Sequence, residues 1–199
     1  YVIKEYFADY FLHNSDVTFD LSTNEMQVHD KKGENWKVTI LDTGLNTMTG
    51  GRVLRAKQYL ENERFLLTYG DGVADVDLNA LLAFHEQHGG IATMTTVSLA
   101  QQKGVLEKDD KGQILAFREK NDEDAAIING GFMVLEPKVF DYLEGDATVL
   151  EQEPMRKLAA EGQLFGYAHD GFWQCMDTQR EKEKLETLWD EDKAPWKRW

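Results

Sequence analysis

The feature that most limits how this chain can fold is an apolar run that ends in an aspartate between two glycines. Residues 65–69 read Phe-Leu-Leu-Thr-Tyr, and Gly70, Asp71 and Gly72 follow directly. Such a run is typical of a buried strand in an α/β protein, and open α/β sheets bind ligands at the C-terminal ends of their strands. Glycine on both sides allows a sharp turn and the close approach of an anion or a metal ion. The sequence therefore predicts that Asp71 lies at a strand end in a ligand site.

The composition indicates a globular protein with an acidic surface. The chain has 199 residues, 42% of them hydrophobic, which is enough for one domain with a full core. Thirty-six acidic against 22 basic residues give a net charge of −14. This charge argues against nucleic acid or an anionic membrane as a partner, since both require basic surfaces. A small anionic substrate remains compatible with it.

The cysteine content and the lack of long apolar stretches predict a cytoplasmic protein. Cys175 is the single cysteine, so no intramolecular disulfide can form, and a reducing compartment is expected. The chain contains no signal peptide and no stretch near the roughly 20 apolar residues of a membrane span.

The order of apolar runs and turn residues predicts an α/β fold with a mixed sheet flanked by helices, in a single domain of residues 1–199. The first part is expected to contain an amphipathic helix at 2–11, a hairpin pairing 17–21 with 25–29, a strand at 36–41, a loop at 42–51 and a helix at 52–60. Helices at 78–88, 154–161 and 178–189, a short helix from Pro137, and strands at 91–97, 113–119, 127–136 and 164–169 are expected to follow.

Both ends of the chain have informative patterns. Tyr1 stands inside the first helical pattern with no capping residue before it, which predicts that the chain is a fragment of a longer protein. Residues 196–199 read Trp-Lys-Arg-Trp, and these aromatic side chains are expected to dock on the protein's own core.

Asp75 and Asp77 are the nearest candidate partners of Asp71. They form an Asp-x-Asp pattern, which is typical of metal-dependent sugar transferases. The simpler interpretation, which we favour, is that Asp77 caps the helix that begins at Leu78.

Asp177 is a second candidate partner, far away in the sequence. Residues 172–178 place aromatic residues before Asp177 and Thr178 at the start of a helix, where either residue could serve only as a cap. Two carboxylates from distant segments are, however, what Mg²⁺ on nucleotide phosphates requires, because this ion takes one or two protein carboxylates and completes its octahedron with phosphate oxygens and water.

Two further segments have side chains suited to a sugar phosphate. Glu119 could accept hydrogen bonds from sugar hydroxyls while Lys120 meets the phosphate, although an exposed surface pair is the default for such a dipeptide. Asn129, Gly130 and Gly131 interrupt a strand, which indicates either a bulge or a sugar packed on the backbone.

Nothing in the sequence favours nucleophilic or zinc chemistry. Cys175 has no evident activating histidine. His85 and His88 are three residues apart on one predicted helix, but no third ligand is evident.

Taken together, the motifs resemble the sugar-phosphate nucleotidylyltransferases, and among them the glucose-1-phosphate cytidylyltransferases. The matching segments occur in the same order and are residues 49–52 (TGGR), 69–75 (YGDGVAD), 128–132 (INGGF), 151–154 (EQEP), 172–174 (FWQ) with 176–178 (MDT), and 193–196 (KAPW). The resemblance extends from residue 1 to residue 199, and the motifs are specific as a set. It implies a Rossmann-like mixed α/β fold of the nucleotide-diphospho-sugar transferase type, with an inserted β-hairpin.

The resemblance also implies a reaction, in which CTP and α-D-glucose 1-phosphate give CDP-glucose and pyrophosphate with Mg²⁺ as the cofactor. The sugar phosphate attacks the α-phosphorus in line, without a covalent enzyme intermediate, so catalysis depends on positioning and charge neutralisation. CDP-glucose then feeds 3,6-dideoxyhexose synthesis for bacterial surface polysaccharides such as O antigen. A homo-oligomer is expected from the same resemblance.

Residue by residue, the family motifs imply a catalytic set of Asp71, Asp177 and Lys120. The two aspartates would hold Mg²⁺, and Lys120 resembles the lysine on the glucose phosphate. The remaining substrate contacts implied are Glu119 and Asn129 on the sugar hydroxyls, Gly104 as a backbone contact to the sugar, and Thr49, Gly50 and Gly51 in the loop that faces the cytosine.

The chain departs from the family pattern in three places. It lacks the initial strand with its Gly-x-Gly-Thr-Arg loop and the Pro-Lys-Pro segment, which cradle the triphosphate, so we expect this chain by itself to be inactive or nearly so. Residues 102–104 read Gln-Lys-Gly where the family has Arg-Phe-Gly, and Asn121 replaces a proline.

Two other functions therefore stay open at the level of the sequence. The first is a non-catalytic homologue that binds a sugar nucleotide. The second is a related enzyme with another nucleotide or sugar, or a glycosyltransferase that uses Asp75 and Asp77.

Overall fold

A computed structural model describes residues 1–29, 33–60, 62–99, 105–108, 114–118 and 126–198. The chain divides into two compact units, Tyr1–Gly44 and Leu45–Trp199. Among the helices that the structure describes, none is long and apolar enough to cross a membrane.

The first unit contains two short helices and a hairpin, close to the sequence prediction. Helices α1 (Val2–Ala8) and α2 (Tyr10–Asn14) divide the predicted helix at Asp9, and strands β1 (Asp16–Asp20) and β2 (Glu25–His29) form the antiparallel hairpin. One carboxylate oxygen of Asp20 holds the turn by accepting the backbone N–H groups of Ser22 and Thr23 at 2.8 and 3.2 Å. The hairpin is confirmed with its predicted turn.

The predicted strand at 36–41 is wrong. Residues 33–44 form no strand, and no ladder pairs with them in the described part of the chain. Alternating apolar residues give a strand only where a neighbouring strand supplies the backbone hydrogen bonds. Trp36 and Val38, whose apolar character suggested the strand, are exposed.

The second unit contains the mixed sheet. Its helices are α3 (Thr49–Ala56), α4 (Leu78–His88), α5 (Glu153–Ala160) and α6 (Gln179–Asp190), with 3₁₀ turns at Lys57–Tyr59 and Pro137–Tyr142. Its strands are β3 (Phe65–Leu67), β4 (Gly72–Ala74), β5 (Ala92–Leu99), β6 (Val105–Lys108), β7 (Ile114–Arg118), β8 (Ala126–Leu135), β9 (Leu164–His169) and β10 (Trp173–Cys175).

Strands β3, β8, β5 and β9 form one four-stranded sheet in that order. β8 runs antiparallel to both of its neighbours, whereas β5 and β9 are parallel. β4 pairs with β10, and β6 with β7, in two separate antiparallel ribbons. The mixed sheet is as predicted, but the sequence did not reveal β4, β6 or β10, of which β4 and β10 are only three residues long.

The core covers both faces of β8. Met133 and Leu135 belong to the larger cluster, which includes Leu150 and Leu158, while Val134 on the opposite face packs with Leu81. Because successive side chains of a strand point to opposite faces, the uninterrupted apolar sequence at the end of β8 corresponds to a strand buried on both sides.

Helix α4 has the two caps that the sequence suggested. Asp77 accepts the backbone N–H groups of Asn79 and Ala80 at 2.9 and 3.1 Å. Gly89 ends the helix in the left-handed conformation, with φ of 64°. The capping interpretation of Asp77 is therefore confirmed.

Two histidines of α4 connect this helix to β5 through one hydroxyl group. Thr93 Oγ1 lies 2.8 Å from His85 Nδ1 and 2.7 Å from His88 Nε2. The backbone N–H of Gly90 donates to His88 Nδ1 at 2.9 Å, so the ring proton of His88 lies on Nε2 and is donated to Thr93. Thr93 then donates to His85, whose Nε2 is 3.1 Å from Glu136 Oε1. The result is a directed hydrogen-bond chain from helix to sheet.

Lowering the pH is expected to weaken this fold through His88. Burial, followed by the proximity of His85, lowers the pKa of His88 below the value of about 6.5 found in unfolded chains. Below about pH 6.5 the unfolded chain binds this proton more readily than the folded one, so the free energy of unfolding falls as the pH drops. Urea unfolding should give a smaller free energy at about pH 5.5 than at about pH 7.5.

Substitution of the histidine provides the control for this prediction. His88→Gln should show a smaller difference between the two pH values than the unchanged protein, since the titrating ring is gone. His13→Gln, at an exposed site of α2, should retain the difference. An undiminished difference in His88→Gln would contradict the assignment.

Of the two aromatic residues at the end of the chain, Trp196 packs on the protein itself, as predicted, and Trp199 lies outside the described residues. Trp196 stacks on Phe172 with 5.3 Å between the ring centroids, and Ala194 is buried. Arg198 donates a hydrogen bond to the backbone oxygen of Asp75 at 2.8 Å.

Candidate active site

The ribbon of β4 and β10 brings Asp71 and Asp177 to the same place. Gly72 lies opposite Cys175, and the N–H of Met176 donates to the backbone oxygen of Asp71 at 2.8 Å. The two aspartates therefore lie at one end of the ribbon, Asp71 just before β4 and Asp177 two residues after β10, and both are exposed. The sequence had suggested that Asp71 stands directly at the end of β3. In the structure β3 ends at Leu67, and Asp71 immediately precedes β4.

The helix start beside Asp177 does not use that carboxylate as its cap. Thr178 is the N-cap of α6, and it forms a capping box with Glu181, whose backbone N–H lies 3.3 Å from Thr178 Oγ1. The side chain of Asp177 accepts from Cys175 Sγ at 3.1 Å. Of the two capping residues that the sequence allowed, Thr178 is thus the one used, and the Asp177 carboxylate does not cap the helix.

Cys175 remains a thiol in this setting. Burial, followed by the hydrogen bond to Asp177, raises the pKa of the thiol to about 11. Since the thiolate is the reactive form, this environment is unsuited to a nucleophile.

The donor set formed by Asp71 and Asp177 fits Mg²⁺ bound to phosphates. Both residues offer hard carboxylate oxygens, and the described residues contain no group of three or more acidic, histidine or cysteine side chains placed for a metal ion. Mg²⁺ binds through one or two carboxylates and takes its other ligands from substrate phosphates and water. In the chemistry of their donor atoms, the two exposed carboxylates match that requirement.

The glycines beside Asp71 have no structural explanation within the described chain. A Cβ atom at Gly70 or Gly72 would have no atom within 4 Å. Neither residue is among the glycines with positive φ. With no requirement from packing or backbone conformation, the small size of these residues leaves the surface next to Asp71 clear for a ligand.

Gly50 and Gly51, in contrast, are surrounded by atoms that leave no room for a Cβ. They belong to the first turn of α3 and not to the loop that the sequence predicted, and both are buried. A Cβ at Gly50 would lie 2.8 Å from the side chain of Thr148, and one at Gly51 would lie 2.7 Å from the backbone of Asp146. Close packing against this loop accounts for both glycines.

Replacing Gly51 by alanine is therefore expected to destabilise the protein. Because the new Cβ would meet backbone atoms of Asp146, the chain must shift, and the free energy of unfolding should fall by about 1–3 kcal/mol. The matched substitution Gly70→Ala should change it by less than about 0.5 kcal/mol. Urea unfolding measures both variants, and equal losses would contradict this distinction between the two glycine pairs.

A hydrogen-bonded cluster lies beside these elements and centres on the Glu151 carboxylate. Thr49 Oγ1 donates to Glu151 Oε2, and the Tyr69 hydroxyl donates to Glu151 Oε1, both at 2.6 Å. Asn129 Nδ2 donates to the Tyr69 hydroxyl at 3.2 Å, and the N–H of Leu150 donates to Thr49 Oγ1 at 2.9 Å. The cluster joins two predicted site residues, Thr49 and Asn129, through two residues to which the sequence assigned no role.

A bulge in β8 orients Asn129. The register between β5 and β8 shifts between Met94 and Thr96. Gly131 has φ of +85°, and a Cβ there would lie 2.8 Å from the ring of Tyr69. The N–H of Gly131 donates to Asn129 Oδ1 at 2.8 Å, which fixes the orientation of the amide. The bulge interpretation of this segment is confirmed, and it positions a site residue.

Trp173 links the bulge to the aspartate ribbon. Its indole Nε1 donates to the backbone oxygen of Gly130 at 2.7 Å. Trp173 belongs to β10, so this bond attaches the ribbon that carries Asp177 to the sheet strand that carries Asn129.

Asp75 is engaged in structural contacts. Its Oδ1 lies 3.1 Å from His169 Nε2, and Oδ2 lies 3.9 Å from Arg198 Nη2. A Cβ at Gly171 would stand 2.3 Å from Oδ1, so this carboxylate is packed closely. Asp77 is thus a cap, and Asp75 lies close to His169 and Arg198 although its buried Oδ1 accepts no hydrogen bond from the described residues.

Three predicted residues, Gly104, Glu119 and Lys120, lie outside the described residues. Among the others, Thr49 and Asn129 meet in the Glu151 cluster, and Asp71 and Asp177 meet at the ribbon. The sequence reasoning missed Tyr69, Glu151 and Trp173 as site-forming residues. Each of them stands within a segment that resembles the family, and that position was the available signal.

Similarity of structure shows the class of fold. HddC from Yersinia pseudotuberculosis superposes on 70% of this chain and 61% of its own with a TM-score of 0.53 and 19% identity. The likeness is one of fold, a mixed α/β architecture with helices on a mixed sheet, as predicted.

Similarity of sequence shows the family. Residues 12–175 match the nucleotidyl transferase family, and the chain belongs to it. The chain is 53% identical over 200 residues to the glucose-1-phosphate cytidylyltransferase of Salmonella typhi. The matched region covers 100% of this chain and 77% of that relative. The protein of the same name from Salmonella typhimurium strain LT2 matches with the same identity and coverage.

Proposed function

We propose that this protein transfers a cytidylyl group, so that CTP and α-D-glucose 1-phosphate give CDP-glucose and pyrophosphate. The observation that carries the proposal is the 53% identity along the whole chain to a glucose-1-phosphate cytidylyltransferase. The position of Asp71 and Asp177 at one end of the β4–β10 ribbon supports it, because both are exposed carboxylates of the kind that Mg²⁺ on a nucleotide takes as ligands. The sequence identity also favours this reaction over a non-catalytic role.

In this reaction a phosphate oxygen of the sugar phosphate forms a bond to the α-phosphorus of CTP. The bond from that phosphorus to the bridging oxygen breaks, and pyrophosphate leaves with the electron pair. No covalent bond to the protein is required, so the residues act by placing the two phosphates in line and by neutralising charge.

Asp71 and Asp177 would hold Mg²⁺ on the phosphates of CTP. When bound, this ion neutralises phosphate charge and stabilises the charge that develops on the leaving group. The bare surface at Gly70 and Gly72 allows the phosphates to approach Asp71 without a side chain in the way.

On the sugar side, the fixed amide of Asn129 can donate its second N–H to a hydroxyl of the glucose. Its Oδ1 is held by Gly131 and its first N–H by Tyr69, so the remaining N–H has a defined direction. Glu119 and Lys120 stay predicted partners of the sugar hydroxyls and of the sugar phosphate, and Gly104 stays a predicted backbone contact. Cytoplasmic location, a homo-oligomer and a role in O-antigen synthesis also stay predictions.

The test of the reaction is release of pyrophosphate from CTP and glucose 1-phosphate, measured on the protein at the length its gene encodes. Asp71→Asn and Asp177→Asn should each lower kcat/KM by roughly a hundredfold or more, since each removes a charge from the cation site. Asp190→Asn, the same change at an exposed position of α6, should retain full activity. No turnover by the folded, unsubstituted protein would overturn the proposal.

Substitutions at Asp75 and Asp77 test the alternative in which this Asp-x-Asp pair, and not Asp71, holds the metal ion. Asp77→Ala should reduce stability by about 0.5–2 kcal/mol through loss of the cap of α4 and should leave the chemical step intact. Activity that depends on Asp75 and Asp77 but ignores Asp71 would instead favour a glycosyltransferase.

Alanine at Gly70 provides a test that is specific to ligand approach. Because Gly70→Ala is expected to preserve folding, a rise of roughly tenfold in the KM for CTP would report crowding of the phosphates beside Asp71. An unchanged KM would show that the bare surface is not used by the nucleotide.

A further inference from the structure

We propose that residues 194–198, the clamp segment, hold the ribbon of β4 and β10 together, and that Trp196 and Arg198 thereby act as positioning residues for Asp71 and Asp177. The clamp is formed by contacts within the chain. The link from the ribbon to catalysis rests on the proposed function, in which the two aspartates hold the cation.

The ribbon is too short to be stable through its own hydrogen bonds. β4 and β10 contain three residues each and pair with one another as a separate two-stranded sheet. A two-stranded ribbon is marginally stable at best in water, and the ends of such an element open most readily. How firmly its ends are held therefore decides how often the segments that carry Asp71 and Asp177 separate.

The two ends of the ribbon are held differently. At one end lie the exposed aspartates, where the N–H of Met176 donates to the backbone oxygen of Asp71 at 2.8 Å. At the other end the N–H of Asp75 donates to the backbone oxygen of Phe172 at 3.1 Å, just beyond the paired residues of the two strands. The clamp segment contacts both residues of this last bond.

The clamp segment uses a ring contact on one strand and a hydrogen bond on the other. Trp196 stacks on Phe172, with 5.3 Å between the centroids and 29° between the planes. Arg198 Nη2 donates to the backbone oxygen of Asp75 at 2.8 Å. Its ion pair with Asp75 Oδ2, at 3.9 Å on an exposed side chain, contributes little. The hydrogen bond to the backbone is therefore the part of this contact that holds the β4 side.

The β10 side also has anchors on the main sheet. The indole of Trp173 donates to the bulge in β8. His169 Nε2 lies 3.1 Å from the backbone oxygen of Phe172, and because a carbonyl can only accept, this nitrogen donates to it. Asp75 Oδ1 is also 3.1 Å from His169 Nε2 but accepts no hydrogen bond from the described residues. On the β4 side, Arg198 supplies a donor to Asp75 that the histidine does not.

Helix α6 directs the clamp segment back to the ribbon. The helix ends in a Schellman motif, in which the N–H of Asp192 donates to Trp189 at 3.1 Å and that of Lys193 donates to Leu188 at 2.8 Å. Asp192 has the left-handed conformation of this motif, with φ of 55°. Because α6 begins just after Asp177, the chain leaves the ribbon at one end and returns to the other.

The experiment compares the hydrogen exchange of single backbone amides in the unsubstituted protein and in Arg198→Met, which removes the donor and keeps an unbranched apolar side chain. The amides of Asp75 and Met176 report on the ribbon, and those of Ala92 and Glu136 report on the main sheet. Exchange of the ribbon amides should accelerate by roughly tenfold, whereas the sheet amides should keep their rates, because the ribbon opens without unfolding of the sheet.

Lys193→Met is the matched control. It removes the same charge just before the clamp segment, where Lys193 Nζ pairs with Glu191 at 2.8 Å, and should leave the exchange of these amides unchanged. Arg198→Lys should restore most of the protection, since an ammonium group can donate the single bond to Asp75. Trp196→Leu is a second, independent variant, which removes the stacked ring and should accelerate the same ribbon amides.

The same variants are assayed for pyrophosphate release from CTP and glucose 1-phosphate, on the protein at the length its gene encodes. Arg198→Met and Trp196→Leu should lower kcat/KM by about tenfold, since misplaced carboxylates lose their hold on the reacting groups. Lys193→Met should retain full activity, and Arg198→Lys should recover most of it.

The outcomes distinguish this proposal from the proposed function. Equal acceleration of ribbon and sheet amides, or no acceleration of the ribbon amides, would overturn the clamp. Acceleration confined to the ribbon with unchanged kcat/KM would overturn the positioning role of Trp196 and Arg198. If the folded, unsubstituted protein shows no turnover, the proposed function is wrong, and the exchange rates alone decide whether the clamp exists.

Discussion

The short pairing of β4 with β10 is the interaction on which the site depends. Three residues of each strand, with the hydrogen bond from the N–H of Met176 to the backbone oxygen of Asp71, bring the segments that carry Asp71 and Asp177 together. The indole of Trp173 then attaches this ribbon to the bulge in β8, so the proposed cation-binding end and Asn129, the proposed sugar contact, share one support. A site built in this way is preorganised, since strands and side-chain hydrogen bonds hold its parts before a substrate arrives.

Glycine has two different roles around this site, and the difference is physical. Gly50, Gly51 and Gly131 are small because neighbouring atoms already occupy the space of a Cβ, and Gly131 also has a positive φ. Gly70 and Gly72 have empty space where a Cβ would stand. The first group keeps helix α3 and the bulge in position, whereas the second leaves room for what binds at Asp71. A sequence presents all five residues alike.

Much of the fold was predictable because it depends on local rules. Alternation and turn residues gave the hairpin at β1 and β2, and cap residues gave both ends of α4. The strand expected at 36–41 failed for a non-local reason, since extended backbone becomes a strand only when a partner pairs with it. The ribbon strands β4 and β10 were missed for the converse reason: each is too short for a periodic signal and exists only through its partner.

The sequence by itself determined the family and the mixed α/β class and predicted the two aspartates as site residues, because motifs and apolar periodicity are properties of neighbouring residues. Tertiary structure decided how those residues are used. It showed that Thr178 and Asp77 are caps, so the Asp177 carboxylate is not needed as a cap and Asp77 has a structural role. It also brought Thr49, Tyr69 and Asn129 together around Glu151. The donor and acceptor roles of those groups follow from which hydrogen bonds are already made, and only the folded chain fixes that.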